Sequence, residues 1–428
     1  MRLTKNSKLL MSFMAENKCL DYSVQNKRTT DVLIMLYNNI LEAKQFIQNK
    51  KQREESDSSF YKMKITSIST VKQIPKPKLF TADTFPEEAR QHIDDSISWD
   101  VSYSFSLFER EITVHFLLED EEDPYVSIEK YNDYIDKIMV WFYIVTKYAS
   151  KKCSKKLIVF LYNTSLTKKL PKSNIEILDQ IHVNTAFTFS CIEKSNEIVI
   201  FRKEEWLKVL IHESFHNFGL DFSDMDTFEC NKRILSIFKV DSQVNLFEAY
   251  TEFWAEIMNV CFTSFYLLEK KNVVVDLEEF LKNTYFLIDV ERNFKFFQMI
   301  KTLEFMGLEY KDLYSGNESS SIARTTLYKE KSNILSYYIL TTILMYNYQD
   351  FFGWCKNNNT GSLLQFKHTV DNLEEFCNFV QKYYKTRSFL NMIECMKKFY
   401  HKKETTGKNG IKKMFLMNNM RMSVCELD

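Results

Sequence analysis

Ile211-His212-Glu213-Ser214-Phe215-His216 is the stretch on which the reading of this chain turns. Histidines at i and i+4 lie one above the other on a single helix face. The flanks support a helix from about Glu204 to Gly219. Trp206, Leu207, Leu210, Ile211, Phe215 and Phe218 supply apolar faces, and Glu204 and Glu205 fall where a first turn favours carboxylates. Gly219 provides a C-terminal stop. Paired imidazoles so placed can share one tetrahedral Zn²⁺, while Glu213 points to the adjacent open position. Random placement of the 7 histidines and 57 acidic residues yields roughly 0.015 such motifs in 428 residues, so accident explains the pattern poorly.

Such a site needs a third protein ligand. The next helical pattern, Val244–Val260, places Glu248, Glu252 and Glu256 on one face at i, i+4 and i+8 of an otherwise largely apolar segment. Like charges at that spacing repel by a few tenths of a kcal/mol per pair, and no Lys or Arg lies within the segment to relieve them. A metal on Glu248 and a histidine N–H on Glu252 would do so. The competing reading is a solvated acidic face.

Working outward, residues 1–55 read as helical, clearest over Asp31–Lys50. Lys62–Ile74 reads as a strand, and the segment with Pro75, Pro77 and Pro86 as a linker. Ser98–Leu118 alternates on both sides of Phe108–Arg110, predicting a hairpin. Glu119–Asp123 reads as an acidic turn and Ser127–Ala149 as an amphipathic helix. Leu157–Tyr162, Val183–Cys191 and Glu197–Phe201 are short apolar runs of strand type. Beyond Gly219 nearly everything is helical, with breaks expected at Tyr314–Ser321, Asn357–Gly361 and the basic stretch His401–Lys413. Strands with helices first and helices alone afterwards give an α+β class. The expected divisions are a helical segment over 1–58, an α+β lobe over 59–220 ending in the histidine helix, and a mainly helical lobe over 221–428 carrying the third ligand.

Composition narrows the partners. Lys+Arg and Asp+Glu number 57 each, which argues against a binder of nucleic acid or anionic membrane over its whole surface. No apolar run is long enough to span a bilayer, Leu335–Tyr348 being too short and better read as a buried helix. Leu9–Ala15 is interrupted by Ser12 and closed by Glu16, so no secretory signal is expected. Nine widely spaced cysteines, without a CxxC pair, read as free thiols in a reducing intracellular compartment. His115, inside a strand pattern, reads as structural.

The motif at 212–216 followed by a glutamate helix resembles the gluzincin branch of the zincin metallopeptidases. The resemblance covers about 197–259 and implies a zincin-like lobe, with Glu248 as third ligand and Glu252 supporting a histidine, Glu standing where the family commonly has Asp. HESFHNFGLDF (212–222), FEAYTEFWAEIMN (247–259) and NEIVIFRKEEW (196–206) are also similar to uncharacterised HExxH proteins of large DNA viruses, which points to a viral protein of host cytoplasm or virion and assigns no substrate. The alternative HExxHxxGxxH arrangement matches Gly219 but puts Phe222 at its third-ligand position, leaving Asp221, Asp224 and Asp226 as nearby acids.

The resulting expectation is a zinc-dependent peptidase acting on a protein or peptide. Glu213 would take a proton from metal-activated water and pass it to the leaving amine. Tyr250, Tyr337 and Tyr338 are candidates for stabilising the oxyanion, and Val183–Cys191 or Glu197–Phe201 for pairing with an extended substrate. The rival reading is a non-catalytic, zinc-stabilised structural or interaction protein, such as a virion component. A metal-free helical scaffold is the third.

Overall fold

A computed structural model of the protein describes residues 2–19, 22–54, 60–80, 85–120, 123–269, 274–359, 362–405 and 410–428. It is an α+β structure with a six-stranded mixed sheet and a helical C-terminal part. Two compact units make it up: Met35–Thr167 with Thr185–Asp224, and Met1–Ile34 with Lys168–Asn184 and Met225–Asp428.

The first unit holds the sheet, in the order β1-β2-β3-β4-β6-β5. Its strands are β1 (Lys62–Ser67), β2 (Ile97–Leu107), β3 (Arg110–Glu119), β4 (Lys156–Asn163), β5 (Ala186–Thr188) and β6 (Ser195–Ile200). The β3–β4 and β4–β6 pairs are parallel and the others antiparallel. The β2–β3 hairpin forms where alternation predicts it, with Phe108 at its tip in the left-handed region (φ 54°). Alternation along the strands gives the sheet two apolar faces. Phe160 and Tyr162 of β4 face one way, onto Ala89 and Ile93 of α3 (Glu87–Ser96). On the other face Phe116 meets Tyr131 of α4 (Pro124–Tyr148) with ring centroids 5.2 Å apart. There α6 (Trp206–Asn217) follows β6 and packs on α4, Trp141 stacking on Phe215. Helix α2 (Lys27–Glu54) contributes Glu42, which accepts from Tyr143 at 2.8 Å.

The second unit is helical. It contains α1 (Lys5–Ala15), the single turn α5 (Gln180–Val183), α7 (Phe228–Ile237), α8 (Leu246–Leu268), α9 (Leu277–Phe305), α10 (Tyr310–Tyr314) and α11 (Glu318–Leu327). A π-helical turn at Leu335–Leu340 then runs into α12 (Thr341–Tyr346), followed by α13 (Tyr348–Asn358), α14 (Val370–Tyr383), α15 (Arg387–Thr405) and α16 (Ile411–Asn418). Helix α8 is buried without a break from Ala249 to Tyr266, and each large apolar side chain so enclosed contributes about 1.5–3 kcal/mol. The carboxylate of Glu291 in α9 accepts the backbone N–H groups of Val424 and Cys425 and the Ser423 hydroxyl, tying the last residues into the core.

Several expectations are corrected. The proline-bearing segment expected to be a linker contains α3, because Pro86 caps a helix start instead of breaking a strand. The strand expected over Lys62–Ile74 stops at Ser67 and gives way to a 3₁₀ turn at Val71–Gln73. Glu318 opens α11 within the expected loop Tyr314–Ser321. The basic stretch His401–Lys413 lies partly in α15 and α16, its residues 406–409 falling outside the described residues, as do 121–122 of the acidic turn and 360–361 of the Asn357–Gly361 break. The thiols are not all free: Cys19–Cys395 and Cys153–Cys191 are disulfides, since folding brings their Cα atoms to 5.8 and 4.6 Å whatever their separation in sequence. Leu335–Met345 is buried helix, and no helix among the described residues is long and apolar enough to cross a membrane. His115 bonds Asp100 at 3.0 Å, a structural pairing within the sheet.

Candidate metal centre

Helix α6 carries the motif on a tightly fixed turn. Its start departs from expectation: Glu205 is the residue before the helix and adopts φ 60°, so Glu204 and Glu205 precede the first turn. Its end is a Schellman closure, in which Leu220 N–H reaches Phe215 O at 2.8 Å and Gly219 N–H reaches His216 O at 3.0 Å. Gly219 sits at φ 65°, and a Cβ there would meet Cys191 Cβ at 3.4 Å and Cys153 Sγ at 3.5 Å. The Cys153–Cys191 disulfide therefore lies against this turn, and Cys191 N–H also donates to His216 O at 3.3 Å. Asn217 Nδ2 donates to Thr188 Oγ1 of β5 at 2.8 Å, fixing the helix end to the sheet.

Within α6, Leu210, Ile211, Ser214 and Phe215 are wholly enclosed, whereas His212, Glu213 and His216 keep 6%, 8% and 9% of their surface exposed. The motif side chains are thus nearly, but not wholly, enclosed. The two imidazoles meet through Nε2 atoms 3.2 Å apart. A tetrahedral zinc with nitrogen ligands at about 2.05 Å has ligand–ligand edges of about 3.3 Å, so this separation is the one such a centre requires. With a proton on one Nε2 this contact is a hydrogen bond; with both unprotonated the lone pairs face each other, and a shared cation would remove that repulsion.

His216 is held from behind by Asp221, which bonds its Nδ1. Asp221 is fully buried and accepts from Ser223 N–H at 3.1 Å and Ser223 Oγ at 2.8 Å. Burial opposes its ionisation, yet the His216 charge and the bonds from His216 and Ser223 hold the carboxyl below its ordinary range. A carboxylate on the far nitrogen fixes the tautomer and aims Nε2 as a ligand. Phe222, the expected dead end of the HExxHxxGxxH alternative, is buried. That Asp221 lies one residue short of that position is what suits it to Nδ1 of His216.

Glu248 lies in the first turn of α8. Tyr337 donates its hydroxyl to Glu248 Oε2 at 2.9 Å, and Asn333 Nδ2 donates to Oε1 at 3.4 Å. Asn333 adopts φ 49° and in turn accepts from Asn245 at 2.9 Å. Ligand atoms of His212, His216 and Glu248 lie within 4.8 Å of one another, a cluster that could hold a metal ion. The other tyrosines are placed differently. Tyr250 donates to Leu364 O at 2.9 Å and Tyr338 to Met420 O at 2.8 Å, both rings fully buried.

Further along α8, Glu252 and Glu256 are wholly buried, with Lys295 of α9 beside both: 3.5 Å from Glu252 and in contact with Glu256. Burial works against the Lys295 charge, but Glu256 and Glu252 together hold its pKa above the ordinary lysine value. Lys295 is the residue that sequence reasoning missed. The signal available was a lysine inside an otherwise aromatic helix, Asn293-Phe294-Lys295-Phe296-Phe297. Arg421, near the C-terminus, is buried and pairs with Glu426 at 3.0 Å. No protein-family model, curated protein or solved structure matches this chain.

Proposed function

We propose that the protein is a zinc-dependent peptidase with a zincin-like arrangement. The observation that carries the reading is the cluster of His212, His216 and Glu248, whose ligand atoms lie within 4.8 Å of one another, with Glu213 between the histidines on α6. The donor set of two imidazoles and one carboxylate is that of open, catalytic zinc sites, whereas purely structural ones favour closed thiolate-rich sets.

When bound, zinc would supply Lewis acidity and a water of lowered pKa. Asp221 fixes the ring of His216, and Tyr337 and Asn333 fix the carboxylate of Glu248. Glu213 is the general base: it accepts a proton from the attacking water and delivers it to the departing amine nitrogen. Strand β5, terminal in the sheet order and tied to α6 through Thr188, offers an edge for an extended peptide.

The test is cleavage of broad peptide libraries by zinc-loaded wild type and Glu213→Gln, alongside metal analysis of both. Wild-type cleavage that is lost in Glu213→Gln, with zinc retained at one equivalent, is expected. Equal inertness of two zinc-loaded proteins would leave the zinc-stabilised, non-catalytic reading in its place. Absence of zinc from both would remove the metal centre altogether.

A further inference from the structure

The sheet unit contains a second site on the face opposite α4 and α6. A cavity of about 270 Å³ lies between α3, the 76–80 segment and β4. Its apolar walls come from Phe80, Phe85, Ile93 and Tyr162, and its charged groups are Arg90, Lys76 and Asp94. Arg90, Ile93 and Asp94 share one face of α3 at i, i+3 and i+4.

The walls are held in place without a ligand. Tyr162 donates its hydroxyl to Pro75 O at 2.6 Å. The Glu197 carboxylate accepts the N–H groups of Lys78 at 3.0 Å and Leu79 at 2.9 Å. Phe80 stacks on Phe189 with centroids 4.5 Å apart. The charges are not equivalent. Lys76 and Asp94 neutralise each other at 2.7 Å. The Nε of Arg90 is shielded from solvent and has no hydrogen-bond partner among the described residues. A shielded donor N–H left without an acceptor forgoes a hydrogen bond that an incoming anion restores.

We infer that this cavity binds a monocarboxylate carried on a compact aromatic or branched apolar body, with Arg90 as its anion contact. Among the described residues the Nε–H of Arg90 is a shielded cationic donor without an acceptor, which suits a single negative charge, and the guanidinium fork suits a carboxylate. Among the described lining residues, a dianion such as a phosphate monoester finds no second unpaired cation and an amine no unpaired acid. The volume is near the lower end of small-molecule sites, which fits a one-ring ligand. A free aryl or alkyl acid and the C-terminal residue of a peptide present the same chemistry. The inference stands apart from the metal centre and needs no activity.

Calorimetric titration of the full chain with 3-phenylpropanoate, 3-phenylpropanamide and 3-phenylpropylamine tests it. The carboxylate should bind saturably, about tenfold or more tighter than the amide, with the amine weaker still. Arg90→Met should bring the carboxylate to the level of the amide, Arg90→Lys should lie between, and Lys76→Met should keep the preference. Unfolding midpoints of the variants, measured alongside, separate lost binding from lost folding. N-acetylglycylphenylalanine serves as a fourth ligand: tighter binding than 3-phenylpropanoate identifies a peptide C-terminus as the source, and weaker binding a free acid. Equal affinity for the carboxylate, amide and amine, or a preference that survives in folded Arg90→Met, overturns the inference.

Discussion

Glu248 and Glu256 sit two turns apart on one face of α8, in the same residue type and the same sequence pattern, and the structure treats them in opposite ways. Glu248, in the first turn, is half-buried and accepts from Tyr337 and Asn333. Glu256 is sealed in the core against the ammonium of Lys295. A half-buried carboxylate at a helix start stays within reach of an incoming cation. One paired with an internal lysine has its charge met and becomes part of the fold. The spacing of acids therefore says where charge is stored, and the neighbouring helices decide whether it is offered or consumed.

The largest expected effect comes from removing the consuming partner. Lys295→Met removes the ammonium that faces the buried carboxylates of Glu252 and Glu256 and should cost about 3–5 kcal/mol in urea unfolding of the metal-free protein. Adding Glu256→Gln to that variant should recover a large part of the loss. A single-variant loss under 1 kcal/mol would dissolve the contrast with Glu248. By the same contrast, Glu248→Ala should leave the unfolding of the metal-free protein within about 1 kcal/mol of wild type while weakening zinc by more than about 100-fold in competition with a chelator.

Asp221→Asn comes next. It keeps the shape but donates where His216 needs an acceptor, so zinc affinity should fall about 10–100-fold with one equivalent still bound at saturation. Tyr337→Phe removes one neutral donor from Glu248, and a loss of less than about tenfold is expected.

Lys301 sharpens the comparison from the side of the lysines. Like Lys295 it is fully buried, but its ammonium meets backbone carbonyls of Asn419 and Leu416 and, among the described residues, no acid. Burial pushes its pKa well below the ordinary 10.5. The folded protein thus gives up this proton at lower pH than the unfolded chain, which holds more protons across the window ending near 10.5. Stability should rise with pH through that window, by up to about 1.4 kcal/mol per unit, and Lys301→Met should flatten the rise in pH-dependent urea unfolding. An unchanged slope in the variant would assign the pH dependence elsewhere.

What was legible in the sequence is what neighbouring residues dictate. The i, i+4 histidines, the alternation on either side of Phe108 and the Glu248–Glu252–Glu256 ladder are short-range patterns, and each appears on the element expected. Pro86 misled because a proline that ends one element also begins the next, and α3 starts immediately after it. Glu205 misled because its left-handed backbone makes it a boundary, which composition does not reveal. Lys295, Asp221 and the two disulfides depend on tertiary approach. Lys295 comes from another helix, Asp221 from a turn that folds back beyond Gly219, and the Cys19–Cys395 partners are 376 residues apart.

The π turn at Leu335–Leu340 has a consequence for how the glutamate cluster is wired. Thr341 N–H bonds five residues back, to Ser336 O, so one residue more than an α-turn needs is looped out there. Consecutive tyrosines are thereby committed to unrelated partners, Tyr337 to Glu248 and Tyr338 to Met420. Excising a single residue from this turn would let it relax to ordinary α geometry and swing the preceding side chains by about 100°. Length, one amino acid in or out, is thus as effective a control on the Glu248 environment as any change of chemistry at the ligand itself.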